Sequence, residues 1–497
     1  MNVNFLLKPW IYKNLPNINI LGLEENSKKI KYMYLFFSLI GYHNDGRKFI
    51  IESIKNGASC VLIDTNLVNN HNDIIFFNKT LLIFFYNLKK YVSYISGRFY
   101  NDPSKNINFI GITGTNGKTT VSNLIFQWIK LLNNKSAIMG TLGNGFLINK
   151  IKKSNNTTLS ALEIQKKIHY YKSIGIKNII SEISSHGIYQ NRIKSIYFKL
   201  GIITNITHDH LDFHKNFYNY KKCKLSFLTN HKISNSIINT NDIICKKNFY
   251  LFKNASSVSI KKKNIIFNSN GWIYIENIFF SKKKTLVYFR SNFGRNKLLV
   301  NFIGNFNITN LLLAFISMLK LGYSLIDLIK TSNLLKLPIG RMEIKNIKKY
   351  NKKIIIDYAH SPDSMKKTLQ NIKNIYHKNI WTVFGCSGNK DKKKRKIMGN
   401  ISSKYSYKTI ITNDNPKNEN QYKIVNNIIE NIYKKNNFYI KLNRKKAIHY
   451  AINNSQKDSI IIIFGKGHED YQIIKNKKIN YSDIHFINKI IKISDKI

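Results

Sequence analysis

An α/β fold in three units is what this sequence predicts, and three observations predict it. Short apolar runs rich in Ile, Val and Phe alternate with longer segments of helical spacing, the pattern of parallel strands wrapped by helices. At 497 residues the chain is too long for one ordinary core and suits three of about 150 residues each. A run of glycines from Gly111 to Gly117 also joins an apolar strand to a helix, the place where such sheets build phosphate sites.

The units are read as residues 1–87, 88–336 and 337–497. In the first, Tyr34 to Ile40 and Ala58 to Asp64 are strands around a helix from Arg47 to Asn56. The second opens on a helix near Leu88 to Tyr100, continues through the strand Ile107 to Ile112, and holds further strands at Asn178 to Glu182 and Gly201 to Asn205. The third opens at Leu337-Pro338 and holds the strands Lys353 to Asp357, Ile380 to Phe384 and Ser459 to Phe464. No internal repeat or low-complexity linker is visible.

Composition excludes several classes. The chain has 80 Lys+Arg against 26 Asp+Glu, but the lysines are spread evenly among an excess of Asn, Ile and Tyr, as A/T-biased codons produce, so no nucleic-acid or membrane face is expected. The run Lys392-Lys-Lys-Arg395 is accordingly read as solvated surface. Four cysteines without regular spacing suggest neither disulfides nor zinc. Met1 to Pro9 lacks the layout of a secretory signal, and the longest apolar runs, such as Leu81 to Tyr86, are strand-length. A cytoplasmic location and a monomeric state are expected.

The strongest local signal is Phe109-Ile-Gly-Ile-Thr-Gly-Thr-Asn-Gly-Lys-Thr-Thr120. Gly114 and Gly117 let backbone N–H groups approach phosphate oxygens, the helix N-terminus adds partial positive charge, Lys118 supplies a full one, and the Thr119 hydroxyl can ligate Mg²⁺. The strict GxxxxGK[ST] spacing fails, because Ile112 stands where its first glycine belongs.

That variant loop resembles the Mur ligases and their relatives, the folylpolyglutamate synthases. Further segments extend the resemblance in family order: Asn156-Thr-Thr158, Ser181 to Gly187 with Gln190 and Arg192, Thr204 to Asp212, Gly304 to Asn310, Gly340 to Glu343, Asp357 to Asp363, Phe384 to Asp391 and Gly465 to Asp470. The resemblance implies an N-terminal UDP-binding α/β domain, a central P-loop-type ATP-binding domain with a mostly parallel sheet, and a C-terminal Rossmann-like domain. It implies a reaction in which ATP activates a carboxylate as an acyl phosphate and an amine displaces phosphate. The forms Ser-Ser-His-Gly and Asp-Tyr-Ala-His-Ser-Pro-Asp point to the step that adds the third amino acid to UDP-N-acetylmuramoyl-L-alanyl-D-glutamate.

The resemblance carries site residues with it. ATP would meet Gly114, Thr115, Asn116, Gly117, Lys118, Thr119, Thr120, Asn307, Asn310, Arg341, Asp357 and His360. Glu182 and His210, each after a strand, would hold Mg²⁺ with Thr119. Lys224, fourteen residues after His210, matches the lysine that the family carbamylates with CO₂, which turns a cation into a metal-binding carboxylate. Lys118, Glu182, His210 and Lys224 are thus the expected catalytic set. The UDP-linked substrate would meet Ser27, Tyr42, His43, Asn44, Asn156, Thr157, Thr158, Ser184, Gln190 and Arg192. The N-terminal matches depart from the family, with Lys28 where it commonly has arginine.

The acceptor amine is read from Asp414-Asn-Pro-Lys417 with Lys390, Gly465 and Glu469. Diaminopimelate-adding members carry arginine at the positions of Lys390 and Lys417, and lysine-adding members usually lack the final cation. Cations here reward the extra carboxylate of meso-diaminopimelate and repel the bare ammonium of lysine. Lysine offers a point charge instead of a planar fork, so the grip would be looser. The L-lysine-adding ligase of the same family, a folylpolyglutamate synthase and a basic RNA-binding protein are the rival readings; the synthase would need neither a UDP-binding unit nor Asp-Asn-Pro-Lys, and the RNA-binding protein should interleave aromatic and basic residues.

Overall fold

The computed structural model describes residues 1–41, 44–147, 151–154, 156–281, 284–347, 351–430, 432 and 437–494. Its class is the α/β fold expected, with mostly parallel sheets. Two compact units are formed. One comprises Met1–Thr113, Asn134–Ile202 and Cys223–Ser236; the other Gly114–Asn133, Ile203–Lys222 and Ile237–Ile497.

In the first unit, strands Gly22–Glu24, Tyr34–Ser38, Ala58–Thr65 and Thr80–Tyr86 run parallel in that order, and Ile74–Phe77 adds an antiparallel edge. Ala58–Thr65 is buried along nearly its whole length, as a central parallel strand must be. Its two faces supply two cores, one with Cys60 and Leu62 and the other with Val61 and Ile63. The same unit pairs Asn108–Thr113 with Asn178–Glu182, and that strand with Ser136–Gly140, all parallel. Parallel register brings the C-terminal ends of these strands to one edge, so Ile112 lies opposite Glu182.

In the second unit, the helices Lys118–Leu131 and Asn305–Lys320 pack together, with the rings of Trp128 and Phe315 5.9 Å apart. Three antiparallel strands, Gly271–Phe280, Thr285–Ser291 and Gly294–Val300, follow Ala255–Ser259. A six-stranded sheet has the order Glu343–Ile347, Lys352–Asp357, Ile460–Phe464, Ile380–Phe384, Lys408–Ile411 and Phe438–Ile440; only the first strand is antiparallel. Asp357 and Phe464 end neighbouring strands in register, which places the segments after them side by side.

One expectation is corrected here. Lys392 and Lys393 are exposed, but Arg395 is fully buried in the helix Lys393–Tyr405, because its guanidinium is forked onto Glu419 at 2.6 and 2.7 Å. Further bonds reach Asn427 and the Ser387 carbonyl. Removing one partner leaves the other charge unpaired, which costs about 3–5 kcal/mol in buried pairs. Arg395→Met should therefore lower the midpoint of thermal unfolding by about 6 °C or more, against little change for Lys393→Met; calorimetry of the two variants checks it. Hydrogen bonds from Arg395 hold the Glu419 carboxyl down at about 2, so this stabilisation is present above the ordinary glutamate range and is lost as pH falls through about 2.

Candidate active site

The glycine loop is fastened before any ligand is considered. Thr115 N donates to the Asn205 carbonyl at 2.8 Å, Asn116 N to Asn205 Oδ1 at 3.0 Å, and Thr204 Oγ1 and Asn205 Nδ2 both donate to the Asn116 carbonyl. The Thr115 hydroxyl bonds the Thr207 carbonyl and the Tyr220 hydroxyl. Two glycines are required by this packing. Gly114 has φ +140° and a Cβ there would lie 1.9 Å from Thr204 Oγ1; Gly117 has φ +92° and a Cβ would meet Asn310 Oδ1 at 2.5 Å. The Lys118 ammonium curls back onto the Gly114 and Thr115 carbonyls at 2.8 and 3.0 Å, closing the loop on itself.

Beside the loop lies a cavity of about 1150 Å³, at the upper end of ligand-sized pockets. Asn116, Gly117, Thr120, Asn307, Asn310 and Arg341 are among its lining residues, as is Asp357. Asn307 is also fixed locally, its amide donating to the Ile303 carbonyl at 2.9 Å. Arg341 Nη2 reaches Thr119 Oγ1 at 3.5 Å and the guanidinium lies over the Tyr358 ring at 4.5 Å, while its Nε is buried without a hydrogen-bond partner. A buried cationic donor left unused at a cavity wall suits an anion such as a phosphate. Asp357 accepts from Met342 N and Ala359 N, so its carboxylate braces the turn that carries Arg341; burial pushes its pKa up against the opposing pull of Arg341. His360 bonds its own Tyr358 carbonyl through Nδ1, and burial lowers its pKa.

His210 follows Asp209, and the two side chains lie 3.6 Å apart. It adopts φ +52°, a left-handed conformation unusual for a residue with a side chain, at the start of the short helix Leu211–His214. Burial raises the Asp209 pKa, but His210, His360 and Lys394 outweigh it and hold the carboxyl well below its usual range. Asp209 was not marked by the sequence reading, although its place between two histidines was a signal.

In the first unit Glu182 is buried and aimed. Its carboxylate accepts from Thr141 N and Thr141 Oγ1, each at 2.9 Å, and Gly140 is small because a Cβ there would strike the Glu182 carboxylate at 2.3 Å. Lys224 is also buried, on the helix Phe217–Thr229, with Nζ 3.3 Å from Thr113 Oγ1 at the end of the strand Asn108–Thr113. Lys221 is half-buried and Lys222 exposed, so the structure separates the three lysines of this segment by burial.

Around Glu182 lie Thr157, Thr158, Ser184, Gln190 and Arg192, five of the positions matched for the UDP-linked substrate. Thr158 Oγ1 bonds the Glu182 carbonyl, Ser184 Oγ and Ser184 N; Thr157 Oγ1 meets Thr141 Oγ1 at 3.3 Å. Arg192 is forked onto Gln190 Oε1 and donates to the Thr158 carbonyl. Asn156 is exposed nearby in sequence. Ser27 is buried and donates to Glu52 at 2.6 Å, while Asn44 is exposed and its carbonyl accepts from Gly41 N. Tyr42 and His43 lie outside the described residues. Glu25 went unmarked in the sequence: burial pushes its carboxyl up to about 7, although a hydrogen bond with Ser160 and the charge of Arg192 pull the other way.

Asp414 to Lys417 and Gly465 to Glu469 form a third cluster, in the second unit. Lys466 Nζ sits 3.0 Å from both Asn415 Oδ1 and Glu469 Oε2 and 3.5 Å from Asp414 Oδ1. Ser387 donates to Asp414 Oδ2, and Gln472 holds the Asp414 carbonyl at 2.8 Å. Pro416 closes the turn against Gly388, where a Cβ would lie 1.9 Å from the Pro416 carbonyl oxygen. Lys390 pairs with Asp212 at 3.7 Å. Burial and then Lys390 lower the Lys417 pKa while Asp212 raises it, so both lysines stand near one carboxylate.

A loop that folds on a lysine, at a cavity walled by amides and an unused arginine donor, suits an enzyme that consumes ATP to activate a second substrate. The pattern described as Mur ligase middle domain matches residues 112–318, and that described as Mur ligase, glutamate ligase domain matches 340–467. The chain belongs to the Mur ligase family, and it is an ATP-dependent, amide-bond-forming ligase. It is 42% identical over 491 residues to UDP-N-acetylmuramoyl-L-alanyl-D-glutamate--2,6-diaminopimelate ligase of Wigglesworthia glossinidia brevipalpis, covering 99% of each chain. With the ligase of the same name from Buchnera aphidicola subsp. Schizaphis graminum it shares 44% over 494 residues, again 99% of each. A solved structure of a ligase of that name superposes with a TM-score of 0.68 at 25% identity, over 100% of this chain and 99% of the other. MurF ligase from Thermotoga maritima in complex with ADP has the same fold, with a TM-score of 0.64 at 15% identity over 95% and 98%.

Proposed function

We propose that the chain joins meso-diaminopimelate to UDP-N-acetylmuramoyl-L-alanyl-D-glutamate with hydrolysis of ATP to ADP and phosphate, in the synthesis of peptidoglycan precursors. The observation that carries this reading is the pair of cations, Lys390 and Lys417, beside Asp414-Asn-Pro416, in a chain that matches diaminopimelate ligases along 99% of its length. An acceptor with a second carboxylate fits that charge, and lysine does not.

The γ-phosphoryl group passes to the glutamate carboxylate, giving an acyl phosphate and ADP. The acceptor amine then attacks the acyl carbon, and phosphate leaves from the tetrahedral intermediate. Lys118 and the loop N–H groups neutralise the phosphates, Arg341 supplies a further donor, and Asn307 and Asn310 wall the nucleotide. Thr119, Glu182, His210 and a carbamylated Lys224 would hold Mg²⁺, which when bound draws charge from the phosphate and carboxylate oxygens. Among the described residues no group of three or more His, Cys, Asp and Glu side chains could by itself hold a metal ion. Thr157, Thr158, Ser184, Gln190 and Arg192 receive the UDP-linked substrate with Ser27, Tyr42, His43, Asn44 and Asn156.

Domains bounded near residues 87 and 336 are supported by sheets that close within residues 22–86 and 343–464. A hinge at Leu337 to Gly340 would let the last close over ATP. Among the described residues no helix is long and apolar enough to cross a membrane. A cytoplasmic monomer, without nucleic-acid or membrane partners, completes the reading.

The test is phosphate release from purified protein with ATP, Mg²⁺ and UDP-N-acetylmuramoyl-L-alanyl-D-glutamate. Release should require an added amino acid and favour diaminopimelate over lysine by about tenfold or more in kcat/KM. A preference for lysine would overturn the assignment of the acceptor; release only with a folate and glutamate would overturn the whole reading.

A further inference from the structure

Lys466 has no role in the reading above, and its surroundings give it one. Its side chain is fully buried between two glycines, immediately after the strand Ile460–Phe464. A buried ammonium is costly unless paired and hydrogen-bonded. Here it has acceptors in Asn415 Oδ1 and Glu469 Oε2 at 3.0 Å and an ion pair with Asp414 at 3.5 Å. All three belong to the segments assigned to the acceptor amino acid.

Two carboxylates against one ammonium leave this cluster with a single negative charge. Arg444 does not cancel it, since its guanidinium is forked onto Asp483 at 2.8 Å. Asp414 Oδ1, the oxygen that Lys466 faces at 3.5 Å, is buried and accepts no hydrogen bond, which leaves it able to take one from a ligand. It lies on the side of Gly465 where a Cβ would meet the Asp414 carboxyl in ordinary contact, at 3.7 to 4.0 Å. Lys390 and Lys417 against Asp212 leave a second cluster with one positive charge. The two poles complement the ammonium and carboxylate of one amino-acid end.

We propose that Lys466 is a positioning residue for the acceptor: it holds Asp414, Asn415 and Glu469 in place and cancels one of two negative charges, leaving a single pole for the acceptor's ammonium. This rests on the acceptor reading given above. Without Lys466 the two carboxylates would repel each other, and one would take a proton. Glu469 is the one, because burial and Asp414 already raise its pKa while Lys466 and Asn415 lower it; Tyr358 and Tyr471 are the other titratable groups facing it.

The experiment is steady-state kinetics of wild type, Lys466→Met and Lys466→Arg between pH 6 and 8.5. Lys466→Met should raise KM for diaminopimelate about 30-fold and leave KM for ATP and for the UDP-linked substrate within about twofold. Its KM for diaminopimelate should climb further as pH falls toward 6, as Glu469 protonates and the negative pole is lost. Lys466→Arg keeps the charge but cannot meet three acceptors from one point, so its KM rises with a pH profile as flat as wild type. That variant also serves if the methionine form does not fold. Equal rises in all three KM values, or matching pH profiles in wild type and a folded methionine variant, overturn the proposal, as does an arginine variant with a steep profile. Wild type that ignores diaminopimelate refutes the acceptor reading instead.

Discussion

Lys118→Met should lower kcat by about a thousandfold while leaving the fold and the binding of the UDP-linked substrate intact. Transfer of a phosphoryl group offers the protein little covalent chemistry, so catalysis depends on positioned charge, and single cations at such sites are worth about 10³ or more in rate. Lys118 donates to the loop's own carbonyls, at Gly114 and Thr115. ATP would draw it off those carbonyls onto phosphate oxygens, which are stronger acceptors because they are charged. The loop would keep its shape without it, since Asn205, Thr204 and Thr207 hold Thr115 and Asn116 independently. Single-turnover phosphate release, with calorimetric binding of the UDP-linked substrate as the control, distinguishes the two effects. Activity within tenfold of wild type would remove Lys118 from the mechanism.

Those independent bonds also explain why this part of the site was legible in the sequence. A phosphate cradle is built from consecutive residues, and its glycines are demanded by backbone geometry. The strands were legible for a similar reason: a parallel strand buried on both faces must be continuously apolar, so Asn178–Glu182 and Ile380–Phe384 emerge with the expected limits. The strand read at Gly201 to Asn205 instead spans Tyr197–Ile203, because Lys199 interrupts the apolar run without leaving the sheet. The antiparallel strands from Gly271 to Val300 were not foreseen. The last of them begins with Gly294–Lys297 wholly exposed, and nothing in an apolar count distinguishes that stretch from a loop.

Arg395 and Lys466 were missed for a different reason. Charge in this chain is so abundant that a single cation carries no signal, and burial is decided by a partner far away in sequence. Glu419 is 24 residues from Arg395, and Asp414 is 52 residues from Lys466. Acidic residues are the scarce partner here, at 26 against 80 cations, so the acids are the better guide to buried charge. Asp414, Glu419, Glu469 and Asp483 each hold a buried lysine or arginine within 3.5 Å.

Lys224 is the buried lysine that the sequence did single out, and it carries the second large expectation. Lys224→Ala should reduce kcat about a thousandfold or more, and Lys222→Ala, on the exposed side of the same helix, should change it less than twofold. The burial of Lys224 is the reason. A lysine this deep, beside Thr113 at the edge where Glu182 ends the neighbouring strand, is poorly explained as a surface cation that happened to turn inward. Carbamylation would replace its positive charge with a carboxylate at the same edge as Glu182, and two anions there suit a divalent cation. The modification has its own readout, independent of rate: protein incubated with ¹³C-bicarbonate should show a carbamate carbon signal that Lys224→Ala abolishes and Lys222→Ala keeps. A signal surviving in Lys224→Ala would assign the carbamate elsewhere. Full activity in Lys224→Ala would remove this lysine from the metal site, and Glu182, His210 and the phosphates would have to hold Mg²⁺ without it.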